Sequence, residues 1–138
     1  MTGRSFNSVM SSMLFQNKLY FIESSEKTPE SARYVVSLNA EHAIYQAHFP
    51  GEPITPGVCI LQMALELLCD ALSCDLEISC AKNVKFLNIL RPDGEKVEVH
   101  IGKMENADDS VKAQIVFNKN EMPIAKMSLI CLRTAKQD

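Results

Sequence analysis

The sequence predicts an α+β domain in which an antiparallel sheet wraps one long, buried helix. The 15 residues 58–72 read VCILQMALELLCDAL, and twelve of them are apolar. Beyond that segment the pattern changes to short runs rich in Val, Ile, Leu and Phe, separated by turn residues, which is the signature of strands. The 138 residues contain no linker, repeat or low-complexity stretch, so both patterns belong to one domain spanning residues 1–138.

Each element follows from local chemistry. Residues 18–23 (KLYFIE) read as a first strand, residues 24–29 as a polar turn, and residues 33–38, rich in Tyr and Val, as a second strand. Residues 41–56 hold prolines at 50, 53 and 56 and a glycine at 51, too many breakers for a helix or a central strand. Gly57 ends that stretch and the helix follows. Its polar residues Gln62, Glu66 and Asp70 are spaced four apart and share one face. All other faces are apolar, so protein must cover the helix on most sides. Four strands follow at 83–90, 96–104, 111–118 and 124–133, with turns at 91–94, 106–109 and 118–121. Consecutive strands with short turns form an antiparallel meander.

Composition excludes several function classes. The net charge of −3 lacks the basic balance that nucleic acid demands. No apolar run reaches the roughly 20 residues of a spanning helix. The first fifteen residues, with one Arg and a short apolar stretch, make a poor signal peptide, and a cytoplasmic protein is expected. The five cysteines, at 59, 69, 74, 80 and 131, are odd in number, form no CxxC pair and have no histidine cluster beside them. A zinc site or disulfide framework is not expected, and Cys59 and Cys69 read as small core hydrophobes.

The chemistry concentrates in the segment AHFPGEPITPGV, residues 47–58. Histidine, here at position 48, is the side chain suited to proton transfer. The prolines restrict the loop that carries it. Glycine lets a substrate approach the backbone. The first N–H groups of the following helix have no internal partners, and the helix dipole adds positive potential where they point. Such donors hold a carbonyl oxygen that gains charge during reaction. A base plus an oxyanion site beside an apolar interior is the equipment for removing a proton next to a carbonyl.

His48-Phe49-Pro50-Gly51, followed by Pro53-Ile54 and Pro56-Gly57-Val58, resembles the signature of the 3-hydroxyacyl-[acyl-carrier-protein] dehydratases of fatty acid synthesis. Tyr45-Gln46-Ala47, Val84-Lys85-Phe86, Arg91-Pro92-Asp93-Gly94 and Ala125-Lys126-Met127 extend the likeness over residues 18–132. The family's usual His-Arg-Tyr-Pro-Phe stretch is missing near the N-terminus, and Ala47 replaces a glycine. The resemblance implies a hot-dog fold and a homodimer with sites at the subunit interface, in some members grouped as three dimers. It implies that His48 takes the proton beside the thioester carbonyl and that the Gly57 N–H polarises that carbonyl. Phe49, Pro56 and Val58 are expected to contact the substrate, an acyl carrier protein or coenzyme A thioester, with no metal or other cofactor.

The family also places a carboxylic acid five residues after the glycine at the helix start, where this chain has Gln62. An amide has no proton to give at neutral pH, and losing a general acid costs about 10²- to 10⁴-fold in rate. Glu66, one turn later on the same face, is the candidate replacement, since the family often has glutamine there. Two alternatives follow: a non-catalytic acyl-binding subunit, favoured by Gln62, and a thioesterase using Glu66 as base or nucleophile. Elsewhere, His42 and His100 read as surface or strand residues, and Asp70 as part of a solvated or interface-facing stripe. Lys82, Lys85, Arg91 and Lys96 are candidates for a basic patch that meets an acidic carrier.

Overall fold

The computed structural model describes residues 13–134. The segment 1–12, which holds most of the region read above as a poor signal peptide, lies outside them. Six strands, β1 (Tyr20–Lys27), β2 (Ala32–Leu38), β3 (Leu76–Phe86), β4 (Val97–Asn106), β5 (Ser110–Lys119) and β6 (Met122–Arg133), form one antiparallel sheet in the order β1-β2-β4-β5-β6-β3. Two helices, α1 (Ala43–Ala47) and α2 (Gly57–Leu72), lie between β2 and β3 in the chain.

Alternation decides which face of the sheet meets α2. Val97, Val99 and Ile101 of β4, Val111, Ala113, Ile115 and Phe117 of β5, and Met127, Leu129 and Cys131 of β6 are all buried, and the residues between them point outward. From α2, Met63, Ala64, Leu67, Leu68 and Cys69 join the same core. Burying each of the larger side chains contributes about 1.5–3 kcal/mol, so this contact holds the helix in place. The expected core role of Cys59 and Cys69 agrees with their burial, which pushes the Cys69 thiol up to about 12.

Several expectations need correction. The stretch expected as a turn at 24–29 is mostly strand, because β1 keeps its ladder with β2 to the pair Lys27 and Ala32. The turn proper is closed by the Thr28 hydroxyl, which accepts from the Ser31 N–H at 3.0 Å. A short helix, α1, occupies part of 41–56, because the prolines begin only at residue 50 and His42 caps it. The His42 Nδ1 accepts the Ile44 N–H at 3.0 Å. The strand expected at 83–90 starts at Leu76 and stops at Phe86. The helix ends sharply at Ser73 in the left-handed region (φ 53°), which leaves room for a strand before residue 83. Nor do the last four strands form one meander: β3 crosses to the far edge and pairs with β6, leaving β4-β5-β6 as the meander. The β5–β6 turn has Asn120 and Glu121 both at positive φ (50° and 65°), the two-residue geometry that suits a twisted hairpin.

Candidate active site at the start of the buried helix

The loop between α1 and α2 is fixed by backbone bonds. The His48 N–H closes α1 on the Ile44 carbonyl at 3.0 Å, and the His48 carbonyl accepts the Ile54 N–H at 2.7 Å. Phe49 and Glu52 exchange N–H···O bonds at 3.1 and 2.9 Å around Gly51, whose φ of 82° suits glycine. The Thr55 N–H reaches the Leu90 carbonyl at 2.8 Å, and the Thr55 hydroxyl lies 2.8 Å from the buried Tyr45 hydroxyl. The His48 ring is half-buried and stands edge-on to Phe49 with centroids 5.5 Å apart. The peptide bond between these two residues is cis.

Helix α2 begins directly after Pro56, and no side chain caps it. The Cys59 and Ile60 N–H groups turn back to the Pro56 carbonyl at 2.9 and 3.2 Å. This helix end is the kind that offers N–H donors to a ligand. Beside it opens a cleft of about 310 Å³, lined by Gly57, Ile54, Thr55, Ile60 and residues 86–90. The Phe86 ring lies over Gly57 so closely that a Cβ there would sit 2.8 Å from Phe86 Cζ. Gly57→Ala therefore has to swing this half-exposed ring. The expected result is a melting temperature within a few degrees of wild type but a several-fold weaker apparent affinity for a cleft ligand. Thermal melts and ligand titrations check both.

Of the residues expected at the site, Gly57 lines the cleft. His48 adjoins it through its bond to Ile54, but His48, Phe49, Pro56 and Val58 are not part of its lining within one chain. Val58 is 74% exposed and Phe49 53%. Val58 follows Gly57, which touches Phe86, so it adds to the exposed Phe86, Leu87 and Ile89 near the end of β3. β3 is an edge strand.

The polar stripe of α2 is dry at its centre, while Gln62 and Asp70 at either side keep partial exposure. Glu66 is fully buried, and its carboxylate accepts four hydrogen bonds. They come from the Phe15 N–H (2.8 Å), the Gln16 N–H (2.7 Å), the Tyr20 hydroxyl (3.0 Å) and the Gln62 amide (2.8 Å). Four donors match the roughly four lone-pair sites of a carboxylate. Burial first, and the Glu66 charge second, push the Tyr20 hydroxyl far above its ordinary range, so it remains a donor. One turn on, Asp70 accepts from the Tyr34 hydroxyl at 2.6 Å and pairs with Lys27 at 3.1 Å. β1, β2 and residues 15–16 thus cover the stripe. Sequence reasoning missed Tyr20 and Tyr34 as its partners, although both tyrosines stand in strand runs where an inward hydroxyl must find an acceptor.

Among the expected basic patch, Lys96 pairs with Glu23 at 3.5 Å and Arg91 approaches Glu52 at 3.9 Å, whereas Lys82 and Lys85 form no ion pair among the described residues. No helix of the described residues is long and apolar enough to cross a membrane.

Comparison with known proteins agrees with this architecture. The dehydratase heterocomplex ApeI:P from Xenorhabdus doucetiae superposes with a TM-score of 0.70 at 18% identity, covering 82% of this chain and 97% of that one. A hypothetical thioesterase from Streptococcus pneumoniae TIGR4, solved with coenzyme A, gives 0.61 at 8% identity over 100% of both chains. An uncharacterized protein from Pyrococcus horikoshii gives 0.64 at 12% identity, over 87% and 86% of the two chains. At these identities the likeness establishes the hot-dog fold. No curated protein matches the chain. The family model of the ApeI dehydratase matches residues 24–126, three quarters of the sequence, and so takes in the histidine loop, the uncapped helix start and the cleft between them. The chain belongs to the ApeI-like dehydratase family.

Proposed function

We propose that the protein dehydrates a 3-hydroxyacyl thioester in the cytoplasm, as a homodimer paired through the β3 edges. The observation that carries this is the uncapped start of α2 at Gly57, opening on an apolar cleft with the braced His48 loop beside it. His48 takes a proton from C2 of the acyl group. The Gly57 N–H steadies the enolate oxygen that results. The C3 hydroxyl leaves as water, the C2=C3 double bond forms, and the imidazolium returns the proton to the departing oxygen. Gln62 orients the hydroxyl, and Phe49, Pro56 and Val58 contact the acyl group across the dimer. Pairing through β3 would satisfy a strand edge and cover the exposed Val58, Phe86, Leu87 and Ile89.

Glu66 is a weak candidate for acid, base or nucleophile, because four donors occupy its carboxylate. This argues against the thioesterase alternative. It also sustains a second reading: with no spare carboxylate beside Gln62, the chain could instead hold an acyl group for an active sibling, and one fold neighbour is a heterocomplex. One experiment separates them. Purified protein is given a 3-hydroxyacyl thioester, and the rise of the conjugated enoyl product is followed. The dehydratase reading expects turnover by wild type and a faster rate, up to about 10²-fold, in Gln62→Glu, which restores a proton donor. A silent wild type that Gln62→Glu awakens supports the acyl-holding reading. Light scattering is expected to give twice the 15.4 kDa chain mass.

A further inference from the structure

The outer face of the sheet carries a feature that the cleft does not explain. Strand register aligns Arg33 of β2 with His100 of β4, His100 with Val116 of β5, Val116 with Lys126 of β6, and Lys126 with Lys85 of β3. With neighbouring strands about 4.8 Å apart, this row spans roughly 19 Å. A β-bulge puts Lys82 on the same face as Lys85: the register slips between them, and Asn83 takes a left-handed φ of 53°. A second bulge at Lys103 (φ 52°) interrupts β4, which lies across β5 and β6 from them.

Three shallow grooves run along this face, and each shares lining residues with the next: Val116 joins the first two, Gln114 and Ser128 the last two. Their walls hold six cations against two carboxylates, in a chain whose net charge is −3. Glu98 lies 3.9 Å from Arg33, and Glu105 stands opposite Lys112. Lys82, Lys85, Lys103 and Lys126 form no ion pair among the described residues. Lys85 and Lys126 stand directly opposite each other, a like-charge pair that costs stability.

We propose that this row docks an acidic protein surface. The cations are spread over this face and do not converge, so they suit carboxylates arrayed on a partner and not a single small anion. A second copy of the chain docked face to face would set the same cations against themselves. The inference rests on the thioester reading above and deepens it: the docked partner is the protein that carries the acyl thioester, because Lys85 adjoins Phe86, which walls the cleft. Charge complementarity of this kind acts mainly on encounter and is screened by salt.

The test compares one 3-hydroxyacyl group on acyl carrier protein and on N-acetylcysteamine, with wild type and the Lys82→Glu/Lys126→Glu variant. Lys126→Glu faces Lys85, so it replaces a repulsion with an attraction and preserves the fold. The proposal expects the variant to lose about tenfold or more in kcat/KM on the carrier-borne substrate, less at high salt, and to stay within about twofold on the small thioester. Equal effects on both substrates, or none on either, would overturn it. If wild type turns over neither substrate, the dehydratase reading fails. Docking is then judged separately by fluorescence anisotropy with unacylated carrier protein. Binding that the variant abolishes upholds docking. No binding, or equal binding to phosphatidylglycerol vesicles or duplex DNA, overturns it.

Discussion

His48→Ala is expected to lower the dehydration rate by about 10²- to 10⁴-fold, the usual contribution of a positioned general base, while leaving the fold intact. Both parts follow from how the loop is held. The hydrogen bonds that fix residue 48 use its backbone: its N–H to Ile44 and its carbonyl to Ile54. Alanine keeps both. The residue is only half-buried and its ring stands edge-on to the exposed Phe49, so its removal forfeits less packing than loss of a core side chain. A structural histidine would behave in the opposite way, losing stability and rate together. Steady-state kinetics beside a thermal melt distinguish the two. A melting temperature within about 3 °C of wild type, with activity nearly gone, is the expected pair of results.

Glu66→Ala is expected to be strongly destabilising. It strands the Tyr20 hydroxyl and the N–H groups of Phe15 and Gln16, which face a fully buried site. Each stranded donor costs about 1–3 kcal/mol, so a loss of about 3 kcal/mol or more is expected. For a chain of this length that lowers Tm by roughly 10 °C. Glu66→Gln keeps an acceptor oxygen but turns an NH₂ toward other donors, so its cost falls between alanine and wild type. Asp70→Ala offers the contrast. Its side chain is 29% exposed, so water can satisfy Tyr34, and the loss is expected to stay near 1 kcal/mol. Chemical denaturation of the three variants checks the ranking. Equal stabilities for Glu66→Ala and Asp70→Ala would show that the buried carboxylate does not anchor the N-terminal segment.

Much of this was legible in the sequence because it is local. Twelve apolar residues in fifteen dictate a buried helix wherever they occur, and three prolines within seven residues dictate a rigid loop. The residue types at His48 and Gly57 likewise pointed to one end of that helix. What escaped was set by distant partners. β3 lies at the far edge because its hydrogen bonds go to β6, about fifty residues later, and no property of residues 76–82 alone announces that. Glu66 looked like an exchangeable member of a polar stripe because its donors come from residues 15, 16 and 20. Sequence spacing showed that the stripe shares a face. It could not show that two tyrosines and a chain segment cover that face.

Dehydration requires the imidazole of residue 48 to meet the acyl group at the mouth of the cleft. The direct measurement is NMR of ring-labelled histidines, titrated with a non-reacting amide analogue of a 3-hydroxyacyl thioester. The His48 resonances should shift on binding, with those of His42 and His100 unmoved. Binding of the analogue with the His48 signals unchanged would contradict the central claim.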